Sequence, residues 1–131
     1  MTNDEIPKRY DLEERTLAFA KGARIFVKSL DRTIGNIEDS KQLIRASGSI
    51  GANYIEANEA LGKKDFAMKI KICRREAKES RYWLSLVDAD AKLEPERERL
   101  MGEANELMKI FGAIVRILAR RRISRTAGAT G

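Results

Sequence analysis

Apolar residues recur at helical spacing in four successive segments of the chain. In the first segment, Asp11 with Glu14 three residues later is typical of a capping box, which satisfies the first free N–H groups of a helix. The turn-forming residues 31–35 are expected to end this helix, so the prediction covers residues 11–30. Its expected buried face consists of Leu12, Phe19, Ala23, Phe26, Val27 and Leu30.

The second helix is predicted over residues 36–62. Asn36 is a suitable N-cap, and Asp39 lies in the expected first turn, where an acid interacts favourably with the helix dipole. Gly62 suits a left-handed position after the last turn. The expected core face consists of Ser47, Ile50, Gly51, Tyr54, Asn58 and Leu61.

In the third and fourth segments the apolar residues alternate in steps of four and three, the spacing of a heptad seam. A helix over residues 65–92 is expected to bury Phe66, Ile70, Cys73, Ala77, Ser80, Leu84, Val87 and Ala91. A helix over residues 95–122, with Pro95 tolerated in its first turn, is expected to bury Leu100, Ala104, Leu107, Phe111, Ile114 and Leu118. Short connections favour antiparallel neighbours, so the sequence predicts an all-α, antiparallel four-helix bundle without strands. We expect residues 1–131 to form one domain with flexible ends at residues 1–10 and 123–131.

The composition limits the chemistry that the chain can perform. Among 131 residues there is one cysteine, Cys73, and no histidine, so the usual zinc ligand sets cannot be assembled and the commonest proton-transfer side chain is missing. No Gly-rich phosphate loop or Gly-x-Ser-x-Gly motif suggests other chemistry. We therefore expect no metal, no cofactor and no enzymatic activity. A cytoplasmic location without membrane contact is expected, because the chain shows neither a secretory signal nor a long apolar run.

The second helix carries small residues on both faces. Opposite its core face lie Arg45, Ser49, Ala52, Glu56 and Ala60, whereas a solvent-facing surface usually carries long charged side chains. Gly48 and Gly51 favour close helix packing. Two interpretations remain open: a helix packed tightly inside its own bundle, or a second buried surface used for self-association.

Two stretches of the chain resemble a known family. RASGSIGANYIEANEALGKKDF at residues 45–66 and RREAKESRYWL at residues 74–84 are similar to the signature of the bacterial four-helix-bundle family named after the 23S rRNA intervening sequence protein. The resemblance also includes residues 11–21 and 36–43 and continues to the start of the fourth helix. It implies an up-down-up-down bundle that assembles as a homopentamer. It also implies kinship with the accessory protein of diversity-generating retroelements, a basic pentamer associated with nucleic acid and a reverse transcriptase.

The resemblance identifies polar positions as well as a fold. The residues that match the family's polar pattern are Arg45, Asn53, Glu56, Arg75, Glu76 and Glu79. Gly62 departs from it, because many relatives have a serine there that can cap the third helix. With the outer face of the second helix, the pattern predicts an interface between subunits that includes Arg45, Ser49, Ala52, Asn53, Glu56, Arg75 and Glu79.

The net charge of +6 is concentrated in one part of the chain. From Lys109 onward there are six basic residues and no acid, and a basic stripe runs along the third helix opposite its seam. Nucleic-acid phosphates are the expected ligand of Lys64, Lys71, Arg74, Lys78, Arg81, Arg116, Arg120, Arg121, Arg122 and Arg125, with Arg75 also in the stripe. An ordinary solvated helix face and a solubilising terminus are the alternatives.

Two other constellations have structural interpretations. Glu56 and Glu59, with Glu76 and Glu79, superficially resemble a di-iron site, but the histidine ligands are missing. We expect these carboxylates to form ion pairs with Arg45, Arg74 and Arg75. The seam position of Cys73 predicts a buried, unreactive thiol.

The leading hypothesis is a non-catalytic, homo-oligomeric bundle, pentameric by the resemblance, that binds RNA or DNA non-specifically. The alternative is a protein-interaction scaffold whose basic surface meets an acidic partner, such as a nucleic-acid enzyme.

Overall fold

A computed structural model describes the backbone of residues 9–130 and the side chains of residues 11–123. Over that range the chain forms four helices and no strand. The helices are α1 (Arg9–Lys28), α2 (Ile34–Asn58), α3 (Lys63–Leu86) and α4 (Glu94–Thr130), and a short 3-10 turn, Ala91–Leu93, precedes α4. The all-α prediction is confirmed. The predicted flexibility of residues 1–10 and 123–131 remains a prediction, and residues 1–8 and 131 lie outside the described residues.

Successive helices pack side by side, and α4 also contacts α1, which closes the bundle. Large side chains from all four helices fill the centre, where the rings of Tyr54 and Phe111 lie 5.9 Å apart. On the α1–α4 side the guanidinium of Arg15 donates two hydrogen bonds of 2.8 Å to the carboxylate of Glu103. Within residues 9–130 none of the helices combines the length and the apolar character needed to cross a membrane.

The predicted start of α2 was wrong by two residues. Thr33, not Asn36, is the N-cap, and its hydroxyl accepts a hydrogen bond from the Asn36 backbone N–H at 3.1 Å. Asn36 is buried, where its side chain donates to the carbonyl of Asp88 and accepts from the Asp88 N–H, both at 2.8 Å. Asn36 therefore connects the start of α2 to the segment that follows α3. The predicted start of α1 was also too late, because Asp11 lies inside the helix, which includes Arg9.

Helices α2 and α3 end earlier in the chain than predicted, and α4 ends later. After Asn58, the N–H groups of Glu59 and Ala60 bond to carbonyls three residues back, which tightens and ends α2. Leu61 is consequently fully exposed rather than buried. Gly62 has φ −148°, so it is an extended N-cap of α3 and not a left-handed C-terminal residue. Ala91 is exposed in the 3-10 turn, because α3 ends at Leu86.

The heptad seams of α3 and α4 are otherwise confirmed, with Phe66 and Leu118 half-buried at their edges. The glycine interpretation is confirmed at Gly51, where α2 approaches α1 closely. A Cβ atom at Gly51 would lie 2.9 Å from the Oγ1 atom of Thr16. The core face of α2 is thus packed tightly inside its own bundle, while Ala52 on the opposite face is exposed.

Candidate nucleic-acid and self-association surfaces

A cluster of charged side chains crosses the contact between α2 and α3. The guanidinium of Arg45 lies 3.5 Å from the carboxylate of Glu76 and 3.6 Å from that of Glu79. Arg75 lies 3.6 Å from the other oxygen of Glu76. Burial raises the pKa of Glu76, the neighbouring Glu79 raises it further, and Arg45 and Arg75 oppose that rise. Four of the six residues in the predicted polar pattern, Arg45, Arg75, Glu76 and Glu79, therefore form one cluster, with Glu76 buried and both arginines exposed.

The other predicted interface residues lie along the same face, which we call the α2–α3 outer face. The side-chain amide of Asn53 donates to the carbonyl and the hydroxyl of Ser49, both at 2.9 Å. Glu56 accepts a 2.7 Å ion-paired hydrogen bond from Lys69 on α3. Ala52 lies on the same helix as Ser49, Asn53 and Glu56 and is exposed. The structure brings the predicted set together, and the subunit contact itself remains a prediction.

Four exposed apolar side chains flank this face, and none of them was among the interface residues predicted from the sequence. Ile55, Met68, Tyr82 and Leu86 each have about half of their surface accessible to solvent. On α3 the signal was present: positions 68, 72, 75, 79, 82 and 86 form a second stripe in steps of four and three, two residues beyond the core seam. A stripe that mixes apolar residues with Arg75 and Glu79 is typical of a protein–protein interface that retains some water.

The predicted basic residues form a second surface, on the side of α3 away from α2 and on α4. The exposed residues of this α3–α4 basic surface are Lys64, Lys71, Arg74, Lys78, Arg81, Arg116, Arg120, Arg121 and Arg122. Because α3 begins where the antiparallel α4 leaves the bundle, its first lysines and the last described arginines share one end of the molecule. The side chain of Arg125 lies outside the described residues.

Few acids compensate this surface. Glu76 and Glu79 lie on the opposite flank of α3, with Arg45 and Arg75. The expected ion pair of Arg74 with those carboxylates is wrong, because the side chain of Arg74 turns toward Gly112 on α4. Among the described residues, no carboxylate forms an ion pair with any of the five predicted cations of the α3 stripe, Lys64, Lys71, Arg74, Lys78 and Arg81.

The remaining chemical candidates have structural roles. In the described part of the chain, no three cysteine or acidic side chains come together as a potential metal-binding group. Cys73 is fully buried, and its thiol donates to the carbonyl of Ile50 at 3.4 Å. Burial raises the pKa of Cys73 to about 12, which leaves almost no thiolate at neutral pH.

The chain is similar to known proteins in sequence and in fold. A family model described as 23S rRNA-intervening sequence protein matches residues 13–113. A solved crystal structure, described as a protein with unknown function from the S23 ribosomal protein family of Bacteroides thetaiotaomicron, is 29% identical. The alignment covers 79% of this chain and 97% of that chain, with a TM-score of 0.69. A comparison with curated proteins gave no match.

Proposed function

The chain belongs to the 23S rRNA-intervening sequence protein family, and we propose that it is a non-catalytic, self-associating bundle that binds nucleic acid through its α3–α4 basic surface. Nucleic acid in the cytoplasm, RNA or DNA, is the proposed ligand. Contacts to phosphates position a protein without reading bases, so the proposed binding is non-specific in sequence.

The observation that carries this proposal is the separation of charge across α3. On one flank the carboxylates of Glu76 and Glu79 are engaged by Arg45 and Arg75. On the other flank the lysines and arginines of α3 face solvent without ion-paired carboxylates, and every charged residue of α4 from residue 109 onward is basic. A surface with one sign of charge attracts a polyanion, and each neutralised phosphate releases counterions that favour binding.

Self-association would multiply the attraction of the basic surface for a polyanion. The α2–α3 outer face offers Ala52, which permits a close backbone approach, beside the exposed apolar side chains of Ile55 and Met68. Burying such side chains against a second copy is favourable by about 25 cal/mol per Å² of apolar surface. Because the basic surface lies on the far side of α3, a subunit contact through the outer face leaves it accessible. Repeated copies then present several basic surfaces to one polyanion.

One feature favours the scaffold alternative. Tyr82 and Leu86 are exposed beside the α2–α3 outer face, on the same helix as the basic stripe, and phosphates alone gain little from apolar neighbours. An acidic protein partner would use both the apolar and the basic side chains.

A titration of the purified protein with fluorescently labelled single-stranded RNA and DNA, at about 50 mM and 200 mM salt, tests the proposal. We expect binding of both at the lower salt, with an affinity that falls steeply at the higher salt and depends little on sequence. Absence of binding at the lower salt would contradict the proposal and leave the scaffold as the better account.

A further inference from the structure

Two guanidinium groups from different helices converge on one glycine. Gly112 is a buried residue of α4, and a Cβ atom there would lie 3.4 Å from the Nη1 atom of Arg116 and 3.6 Å from the Nε atom of Arg74. Because both distances are measured to one point, the two nitrogens are at most about 7 Å apart. Both arginine side chains therefore lie against the α4 backbone at Gly112.

This convergence places like charges together without a compensating acid. Among the described residues, neither Arg74 nor Arg116 has a carboxylate partner. On α4 the carboxylate of Glu106 lies 3.9 Å from the ammonium group of Lys109, and on α3 the carboxylate of Glu76 is engaged by Arg45 and Arg75 on the other flank. Lys71 and Lys78, one turn before and after Arg74, add further positive charge. A bound anion would relieve this repulsion.

The spacing fits a phosphate group. Each guanidinium presents planar N–H donors, and a charge-assisted hydrogen bond to a phosphate oxygen is about 2.7–2.9 Å long. Two such bonds to different oxygens of one phosphate can bridge donors that are up to about 7 Å apart, and the Arg74 and Arg116 nitrogens lie within that limit. A carboxylate has two oxygens in one plane, which suit one arginine fork, whereas the tetrahedral phosphate presents oxygens in several directions to both forks.

We propose that Arg74 and Arg116, held against Gly112, form a clamp for a single phosphate group, which in nucleic acid is a backbone phosphodiester. This inference rests on the proposed function for the source of the phosphate, while the clamp itself is a property of these two side chains. The other exposed cations then provide a diffuse electrostatic attraction for nucleic acid, and the clamp provides one defined phosphate contact.

Matched double variants separate the clamp from diffuse charge. Arg74→Gln with Arg116→Gln removes two charges at the clamp, and Arg81→Gln with Arg121→Gln removes two exposed charges from the same helices elsewhere. We expect the first pair to weaken binding of a labelled ten-residue thymidine oligonucleotide about tenfold more than the second pair at about 100 mM salt. Equal losses in both pairs would overturn the clamp and leave the proposed function standing.

A charge-conserving variant gives a second test. Arg74→Lys with Arg116→Lys keeps both charges and removes both planar forks. The clamp predicts a clear loss of affinity, whereas diffuse electrostatics predicts none. Circular dichroism checks that every variant is folded as the wild type is.

Titration of ¹⁵N-labelled wild-type protein with inorganic phosphate distinguishes the source of the ligand. We expect shifts concentrated at the side-chain Nε–H groups of Arg74 and Arg116 and at the Gly112 amide. If the oligonucleotide does not bind but these shifts occur, the proposed function fails and the clamp stands as a site for free phosphate. If the shifts are absent or spread evenly over all arginines, the clamp is refuted.

Discussion

The Nη1 atom of Arg45 on α2 lies 3.5 Å from the Oε2 atom of Glu76 on α3. Glu76 is only 4% exposed, whereas half of the Arg45 side chain is open to solvent. The pair thus connects the interior of the bundle with the α2–α3 outer face. A carboxyl that is buried beside a second carboxyl, Glu79, makes this contact sensitive to pH.

Glu76→Gln is expected to gain stability relative to the wild type as the pH rises. The raised pKa of Glu76 means that the folded protein favours the protonated form of this carboxyl. The stability that the protonated form contributes is therefore complete below the ordinary glutamate pKa of 4.5, and it is lost as the pH rises through the pKa of Glu76 in the folded protein. Glutamine stays neutral throughout. Urea unfolding at about pH 4 and pH 7 measures the difference in unfolding free energy. A difference that is equal at both pH values, or that favours the wild type more at pH 7, would contradict this interpretation.

Gly51→Ala is expected to destabilise the protein by about 1–3 kcal/mol, because the new Cβ would meet the Oγ1 atom of the β-branched Thr16 at 2.9 Å. The matched control is Gly102→Ala, at an exposed position of α4 with no atom within 4 Å of the added methyl group. That change should stabilise the helix by about 0.5–1 kcal/mol. Thermal unfolding compares the two variants, and Thr16→Ala should restore part of the stability of Gly51→Ala. Equal effects of the two glycine substitutions would refute the close contact of α1 and α2.

Cys73 is expected to resist thiol reagents in the native protein. With its pKa raised to about 12, the thiolate fraction at pH 8 is about a thousandfold below that of an ordinary cysteine, and the side chain is fully buried. Labelling with a chromogenic disulfide reagent should therefore require unfolding, and should be rapid in about 6 M guanidinium chloride. Rapid labelling under native conditions would show that α2 and α3 separate readily at this point.

The periodic parts of the fold were predictable from sequence, because a continuous apolar seam constrains a helix at every turn. The ends of helices were not, since they depend on individual hydrogen bonds. Asn36 is a residue type that often caps helices. In this structure, however, the backbone N–H of Asn36 donates to the hydroxyl of Thr33, so Thr33 is the N-cap. Leu61 continues the apolar spacing of α2, yet the chain turns after Asn58 and leaves it exposed.

The candidate surfaces were predictable to a different extent. The basic residues could be assigned from their excess over acids, since long charged side chains on a helix opposite its seam face solvent. Arg74 could not be distinguished from Arg75, because only the register between α3 and α4 brings Arg74 and Arg116 to Gly112. A one-residue shift between the helices would give a different pair.

Ala52→Arg tests self-association. Ala52 is exposed within one chain, so arginine there is compatible with the bundle, but in a close subunit contact its long charged side chain would be buried without a partner. We expect circular dichroism to be unchanged and sedimentation velocity to show monomers. The control, Ala18→Arg at an exposed position of α1, should leave the assembly intact. A large species that persists in Ala52→Arg would contradict an interface at this face.

The most direct test of the central claim is the salt dependence of binding when Arg120, Arg121 and Arg122 are all changed to serine. If these arginines contact phosphates, the slope of log K against log salt should become shallower by up to about 0.9 per lost contact on duplex DNA, or about 0.7 on a single strand. The control changes Lys21, Arg24 and Lys28, three exposed cations of α1, to serine, and should keep the wild-type slope. A triple arginine variant that retains the full slope, or a control that loses as much, would contradict nucleic-acid binding through the α3–α4 basic surface.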